Sequence, residues 1–85
     1  MSSERAELAR SLFDSSQSAA KWDAHARLAV RDGLSILART GQRGYLERSV
    51  ARWFKPASHQ AVLGWCDRII RSVDPISSSA STNET

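Results

Sequence analysis

Apolar residues in this chain recur at intervals of three and four, and this spacing limits most strongly the folds available to it. Such spacing places side chains on one face of an α-helix, whereas a half-buried strand needs alternation of apolar and polar residues. No segment shows a sustained alternation, and Val, Ile and Thr do not cluster as strands require. The pattern therefore predicts an all-α fold, a small bundle of three to four helices.

Glycine and proline mark where these helices end. Gly41 is expected to end the longest segment in the left-handed conformation, and Pro56 to separate the last two helices. Whether the first two segments form one bent helix is left open. The predicted helices span about 4–13, 16–39, 45–54 and 57–73.

The second segment has the most regular pattern. Its small and apolar residues form a seam suited to close packing against a neighbouring helix. Asp14 and Gln17, just before it, have the spacing of a capping box with Asp14 as the cap. The seam consists of Ala19, Trp22, Ala26, Ala29, Gly33 and Ile36.

Residues 75–85 differ in composition from the rest of the chain. They are mostly Ser, Thr, Ala and Asn, with too few large apolar side chains to fold alone. We therefore predict one helical domain at 1–74 and a disordered tail at 75–85.

Several classes of protein are disfavoured by what the chain contains. No run of about 18 apolar residues suggests a membrane span or a signal peptide, so an intracellular location, cytoplasm or nucleus, is expected. Cys66 is the single cysteine, and His25 and His59 lack a partner at helical spacing for a metal. No catalytic arrangement is inferable either. The expectation is a non-enzymatic protein without cofactor or metal.

Charge is distributed unevenly along the chain. Residues 1–38 carry five basic and five acidic residues, whereas residues 39–71 carry seven basic residues against two acidic ones. A local excess of this kind bears on binding partners rather than on fold.

The basic residues at 39–55 form a candidate surface for phosphate groups. Cations repeated along a helix face release counterions from a nucleic acid and give affinity that is independent of base sequence. The alternative interpretation is an ordinary solvated helix face. The residues concerned are Arg39, Arg43, Arg48, Arg52 and Lys55.

The last two helices also resemble a helix-turn-helix unit in outline. Ser58, Val62 and Trp65 occupy positions typical of a recognition helix, which would make His59 and Gln60 candidates for contact with base edges. The spacing to the preceding helix is one residue too long for this motif. Ordinary packing of two helices around a proline turn is the alternative.

The aromatic residues allow three interpretations. Interleaved with arginine, they suit stacking against single-stranded bases or lying on a membrane surface. At helical spacing they are more typical of a core or a dimer interface. The residues are Trp22, Tyr45, Trp53, Phe54 and Trp65.

These observations favour a small basic helical nucleic-acid-binding regulatory protein, acting on duplex DNA or double-stranded RNA mainly through phosphate contacts. A domain of roughly 70 residues has a small core, so a homodimer is also expected. The alternative function is a protein–protein adaptor or inhibitor that uses its apolar and aromatic surface, because Arg and aromatic residues are enriched at protein interfaces too.

Overall fold

Five helices run through residues 2–73, the part of the chain that the structure, a computed structural model, describes. No strand occurs among these residues, so the predicted all-α class is confirmed, but the number of helices is five instead of three to four. The predicted tail at 75–85 lies outside the described residues. The helices are α1 (Ser2–Asp14), α2 (Gln17–Ala20), α3 (Ala24–Thr40), α4 (Gly44–Trp53) and α5 (Pro56–Val73).

The prediction of one helix over 16–39 was wrong, because the chain leaves helical geometry between α2 and α3. Asp23 has an extended backbone with ψ of 142° and serves as the N-cap of α3. Its Oδ2 accepts a hydrogen bond of 2.9 Å from the backbone N–H of His25. The apolar periodicity did not reveal this break, because Ala19 and Trp22, which precede it, still pack in or against the core.

The predicted capping box at Asp14 is also wrong. Ser16 occupies the N-cap of α2 and makes no side-chain capping bond. The carboxylate of Asp14 instead accepts two hydrogen bonds from the guanidinium of Arg31, at 2.9 and 3.0 Å. This pairing lowers the pKa of Asp14 and ties the end of α1 to α3.

Four aromatic rings from different parts of the chain contact one another, and we call them the Trp22 cluster. Trp22 lies in the α2–α3 connection and contacts the other three rings edge to face, with centroids 4.9 to 5.9 Å apart. The cluster joins α1, the end of α4 and α5 around a residue that belongs to no helix. The four residues are Phe13, Trp22, Phe54 and Trp65.

Cys66 lies fully buried in the core beside this cluster. Burial raises the pKa of its thiol to about 12, with a smaller contribution from the charge of Asp67. The thiol therefore stays neutral at physiological pH, and Cys66 is an apolar packing residue rather than a nucleophile.

Two glycines set the position of α4. Gly41 ends α3 with φ of 79°, and its N–H donates to the carbonyl of Leu37 at 2.8 Å, as the sequence predicts. Gly33, in the middle of α3, faces Leu46 so closely that a Cβ added there would lie 2.8 Å from the Cα of Leu46. The absence of a side chain at Gly33 is thus what allows the two helix backbones to approach.

None of the helices within residues 2–73 combines the length and the apolar composition needed to cross a bilayer.

We predict that Gly33→Ala lowers the free energy of unfolding by about 1–3 kcal/mol, because the new methyl group meets backbone atoms that cannot turn aside. Gly64→Ala is the matched control, since a Cβ at Gly64 has nothing within 4 Å among the described residues. That change should raise stability by roughly 0.5–1 kcal/mol through helix propensity. Urea denaturation followed by circular dichroism measures both. Equal effects of the two substitutions would contradict the close approach of α3 and α4.

Candidate nucleic-acid interface

Helix α4 has two faces of different chemistry. Leu46 and Val50 are fully buried and pack against the rest of the bundle. Arg48 and Arg52, one helical turn apart, lie exposed on the other side. The apolar face binds the helix to the fold, and the arginine face is left for solvent or a ligand.

An open groove of about 430 Å³ runs along this exposed side of α4. Ala29, a residue of the predicted seam, contributes a methyl group from α3, and α4 supplies the remaining side chains. We call this the α4 groove. It is lined by Ala29, Tyr45, Arg48, Ser49, Arg52 and Trp53.

Trp53 forms an aromatic platform at one end of the groove. The ring of His25 is stacked on it, with centroids 5.8 Å apart and planes inclined by 13°. The guanidinium carbon of Arg52 lies 5.3 Å from the Trp53 ring centroid, within the range of a cation–π contact. Asp23 helps to place the His25 ring, because its Oδ2 lies 3.6 Å from Nδ1. Trp53 nevertheless keeps 39% of its surface exposed.

The two groove arginines have no acidic partner. Among residues 4–73, no carboxylate lies within ion-pairing distance of Arg48 or Arg52. The guanidinium of Arg48 reaches back over Gly44, where a Cβ would come within 3.1 Å of Nη1. Both cations are therefore available to an anion in the groove.

Arg43 is placed differently from the other predicted phosphate contacts. Its Nη1 and Nη2 donate to Asp67 at 2.5 and 3.1 Å, and its Nε donates to Glu47 at 3.1 Å. These carboxylates raise the pKa of Arg43. The guanidinium thus links the start of α4 to α5, and it contributes little net positive charge to the surface.

Arg39 and Lys55 are exposed but lie away from the centre of the groove. Arg39 is in the last turn of α3, about 21 Å along the helix axis from His25. Lys55 follows α4 at the end where Trp53 lies. The structure therefore brings together Arg48 and Arg52 from the predicted basic group, with Lys55 beyond one end and Arg39 far along α3.

His59 and Gln60 lie in the first turns of α5. Nε2 of the half-buried His59 is 2.8 Å from the carbonyl oxygen of Phe54, to which it donates when that nitrogen carries the proton. This bond satisfies a carbonyl at the end of α4. Gln60 is exposed, between the exposed Ala57 and Ala61. The start of α5 therefore presents one long polar side chain. A single such side chain offers few hydrogen bonds for recognising base edges.

The aromatic residues divide into two groups. Trp22, Phe54 and Trp65 belong to the Trp22 cluster, where they are half-buried and pack against the core. Tyr45 and Trp53 are exposed, at 41% and 39%, and lie in the α4 groove. Sequence reasoning treated the five as one set, so it missed this division.

His25 and Ala29 were not predicted as site residues. Their positions depend on the contact between α3 and α4, and nothing in the sequence around them indicates it. Tyr45 and Trp53 are among the aromatic residues that the sequence indicates for base stacking, and Tyr45 shares a helix face with Arg48 and Arg52 at intervals of three and four residues. Among the described residues, no three His, Cys, Asp or Glu side chains are arranged to hold a metal ion.

No protein-family model, curated protein or solved structure is significantly similar to this chain.

We predict that Arg43→Ala lowers the free energy of unfolding by roughly 1 kcal/mol, because Asp67 loses its partner and α4 loses its tie to α5. Arg48→Ala is the matched control from the same helix region and should change stability by no more than about 0.5 kcal/mol. Chemical denaturation at low salt compares them. If Arg43→Ala is as stable as Arg48→Ala, the link to Asp67 has no structural role in solution.

Proposed function

We propose that this chain is a small, non-enzymatic nucleic-acid-binding protein with a regulatory role, and that it binds through the α4 groove. The strongest support is that one open groove contains both exposed aromatic rings and two arginines. Neither arginine has a carboxylate partner among the described residues. In this proposal Arg48 and Arg52 contact phosphates, and Tyr45 and Trp53 lie beside the bound nucleic acid.

The energetic argument is electrostatic. Each phosphate neutralised by Arg releases a condensed counterion, which supplies affinity without reading base sequence. The planar guanidinium also forms two parallel hydrogen bonds to one phosphate, which ammonium groups do not. Lys55 and Arg39 add long-range attraction at the two ends. Duplex DNA and double-stranded RNA, the ligands expected from sequence, offer such phosphates.

The groove has the chemistry of binding rather than catalysis. Its functional groups are two guanidiniums, two aromatic rings and the hydroxyl of the buried Ser49. None of these is paired with a general base in a way that would activate a nucleophile. A location in the cytoplasm or nucleus belongs to the same proposal, because nucleic acids are found there.

We predict that Arg48→Ala with Arg52→Ala weakens nucleic-acid binding by at least about tenfold at 50 mM salt, through the loss of two phosphate contacts. Fluorescence anisotropy with a labelled DNA duplex of 20 base pairs, repeated at 50 and 200 mM salt, gives the affinity and its dependence on salt concentration. The double variant should also show a shallower slope.

Lys21→Ala with Arg71→Ala is the matched control. It removes the same charge from two exposed positions that do not line the α4 groove. We expect its affinity to stay within about threefold of the parent, the remainder being long-range electrostatics. Equal losses in the two double variants would assign binding to net charge alone. The absence of binding at 50 mM salt would exclude the function.

Exposed leucines on α1 favour a second candidate, self-association into a homodimer. Leu8 and Leu12 are 53% and 39% exposed and lie one turn apart on α1. Leu12 continues into a groove of about 200 Å³ that also contains Trp65, Arg68 and Ile69. Glu7 lies beside Leu8, at the opposite end of the exposed surface that runs from Leu8 through Leu12 to this groove. Two copies related by a twofold axis would therefore place Glu7 of one opposite Arg68 of the other.

We predict that Leu8→Glu shifts the chain from dimer to monomer in sedimentation experiments at 10–100 μM, because a charge is then buried at the contact. Leu28→Glu is the control, since Leu28 is exposed to the same degree, 55%, but belongs to α3. It should leave the dimer intact. A parent protein that is monomeric at 100 μM would rule this candidate out.

A further inference from the structure

The α4 groove favours a particular form of nucleic acid. We infer that it holds unpaired bases of a single strand, against Tyr45 and Trp53, while Arg48 and Arg52 bind the adjoining phosphates. This inference rests on the proposed function and names the ligand within it. It differs from the duplex expected from sequence.

The exposed rings are the first reason. In a duplex the faces of the bases are stacked on one another, so a protein ring contacts them only if a base leaves the stack. Proteins that bind single strands combine exposed aromatic rings with a cationic groove. Tyr45 and Trp53 are exposed at 41% and 39%, whereas the three other aromatic residues discussed above are half-buried and packed against the core.

The state of Trp53 is the second reason. Its ring is already stacked with His25 and in contact with Arg52, so these groups hold its orientation, and a base that stacks on the ring takes the place of one of them. A fixed ring loses less conformational entropy on binding than a mobile one. The guanidinium of Arg52 can itself stack on a base while its N–H groups reach a phosphate.

The dimensions of the groove are the third reason. Its volume of about 430 Å³ is large enough for planar groups the size of a base. Tyr45 and Trp53 are about 12 Å apart along the axis of α4. An oligonucleotide that extends along α4 should therefore contact both residues and bind more tightly than a mononucleotide.

Binding of a labelled 12-nucleotide single strand, the duplex of the same sequence and the mononucleotide, each at 50 mM salt, tests this inference. The single strand should bind at least about tenfold more tightly than the other two. Trp53→Leu should weaken single-strand binding by about tenfold and thereby remove most of the preference for the single strand over the duplex. Trp53→Phe keeps a ring and should retain most of the affinity. Circular dichroism confirms that each variant is folded.

Two further measurements separate stacking from a structural effect. Tyr45→Leu changes the other exposed ring and should also weaken single-strand binding selectively. The single strand should quench tryptophan fluorescence of the parent protein, and this quenching should be much smaller in saturated Trp53→Leu, because Trp22 and Trp65 are half-buried and lie outside the α4 groove.

The outcomes distinguish this inference from the proposed function. Equal or tighter binding of the duplex, an equally tight mononucleotide, or unaltered single-strand affinity in Trp53→Leu and Tyr45→Leu would overturn base stacking. If Arg48→Ala with Arg52→Ala still weakened binding in that case, phosphate binding by the groove would stand. If none of the three ligands bound, both would fail.

Discussion

The fold depends on Trp22, a half-buried residue that lies outside every helix. Its ring makes edge-to-face contacts with Phe13, Phe54 and Trp65, at centroid distances of 5.9, 4.9 and 5.2 Å. Aromatic pairs in this geometry contribute about 0.5–1.5 kcal/mol each beyond the burial of their surface. These contacts join α1, α4 and α5 at one point. They also hold the start of α3, where His25 meets Trp53.

Helix α3 forms one side of the α4 groove. Gly33 allows α4 to lie against it at backbone distance, and Ala29 keeps the space beside α4 open. With Leu46 and Val50 buried, helical geometry obliges Arg48 and Arg52 to face outwards. The groove is thus a consequence of small residues on α3 and a two-faced α4. The proposed binding of nucleic acid uses what this packing leaves exposed.

The predicted basic group shows how far charge placement along a sequence can be interpreted. Arg48 and Arg52 lie together because four residues make about one helical turn, which is a local relation. Arg43 has the same side chain, but its guanidinium is bonded to the carboxylates of Glu47 and Asp67. Asp67 belongs to α5, which is distant from Arg43 in sequence. His59 likewise bonds to the carbonyl of Phe54. Contacts between distant segments decide whether a cation is available, and spacing does not encode them.

The sequence by itself determined the all-α class, the approximate limits of α1, α4 and α5, the cap at Gly41 and the two-faced character of α4. All of these follow from rules that act within a few residues: helical periodicity, the φ of glycine and the restriction before proline. Only the tertiary structure decided the pairing of Arg43 with Asp67, the division of the aromatic residues and the ring of His25 on Trp53. Each of these depends on which helices approach one another. That choice is made by packing over the whole core, in which distant side chains compete for the same buried space.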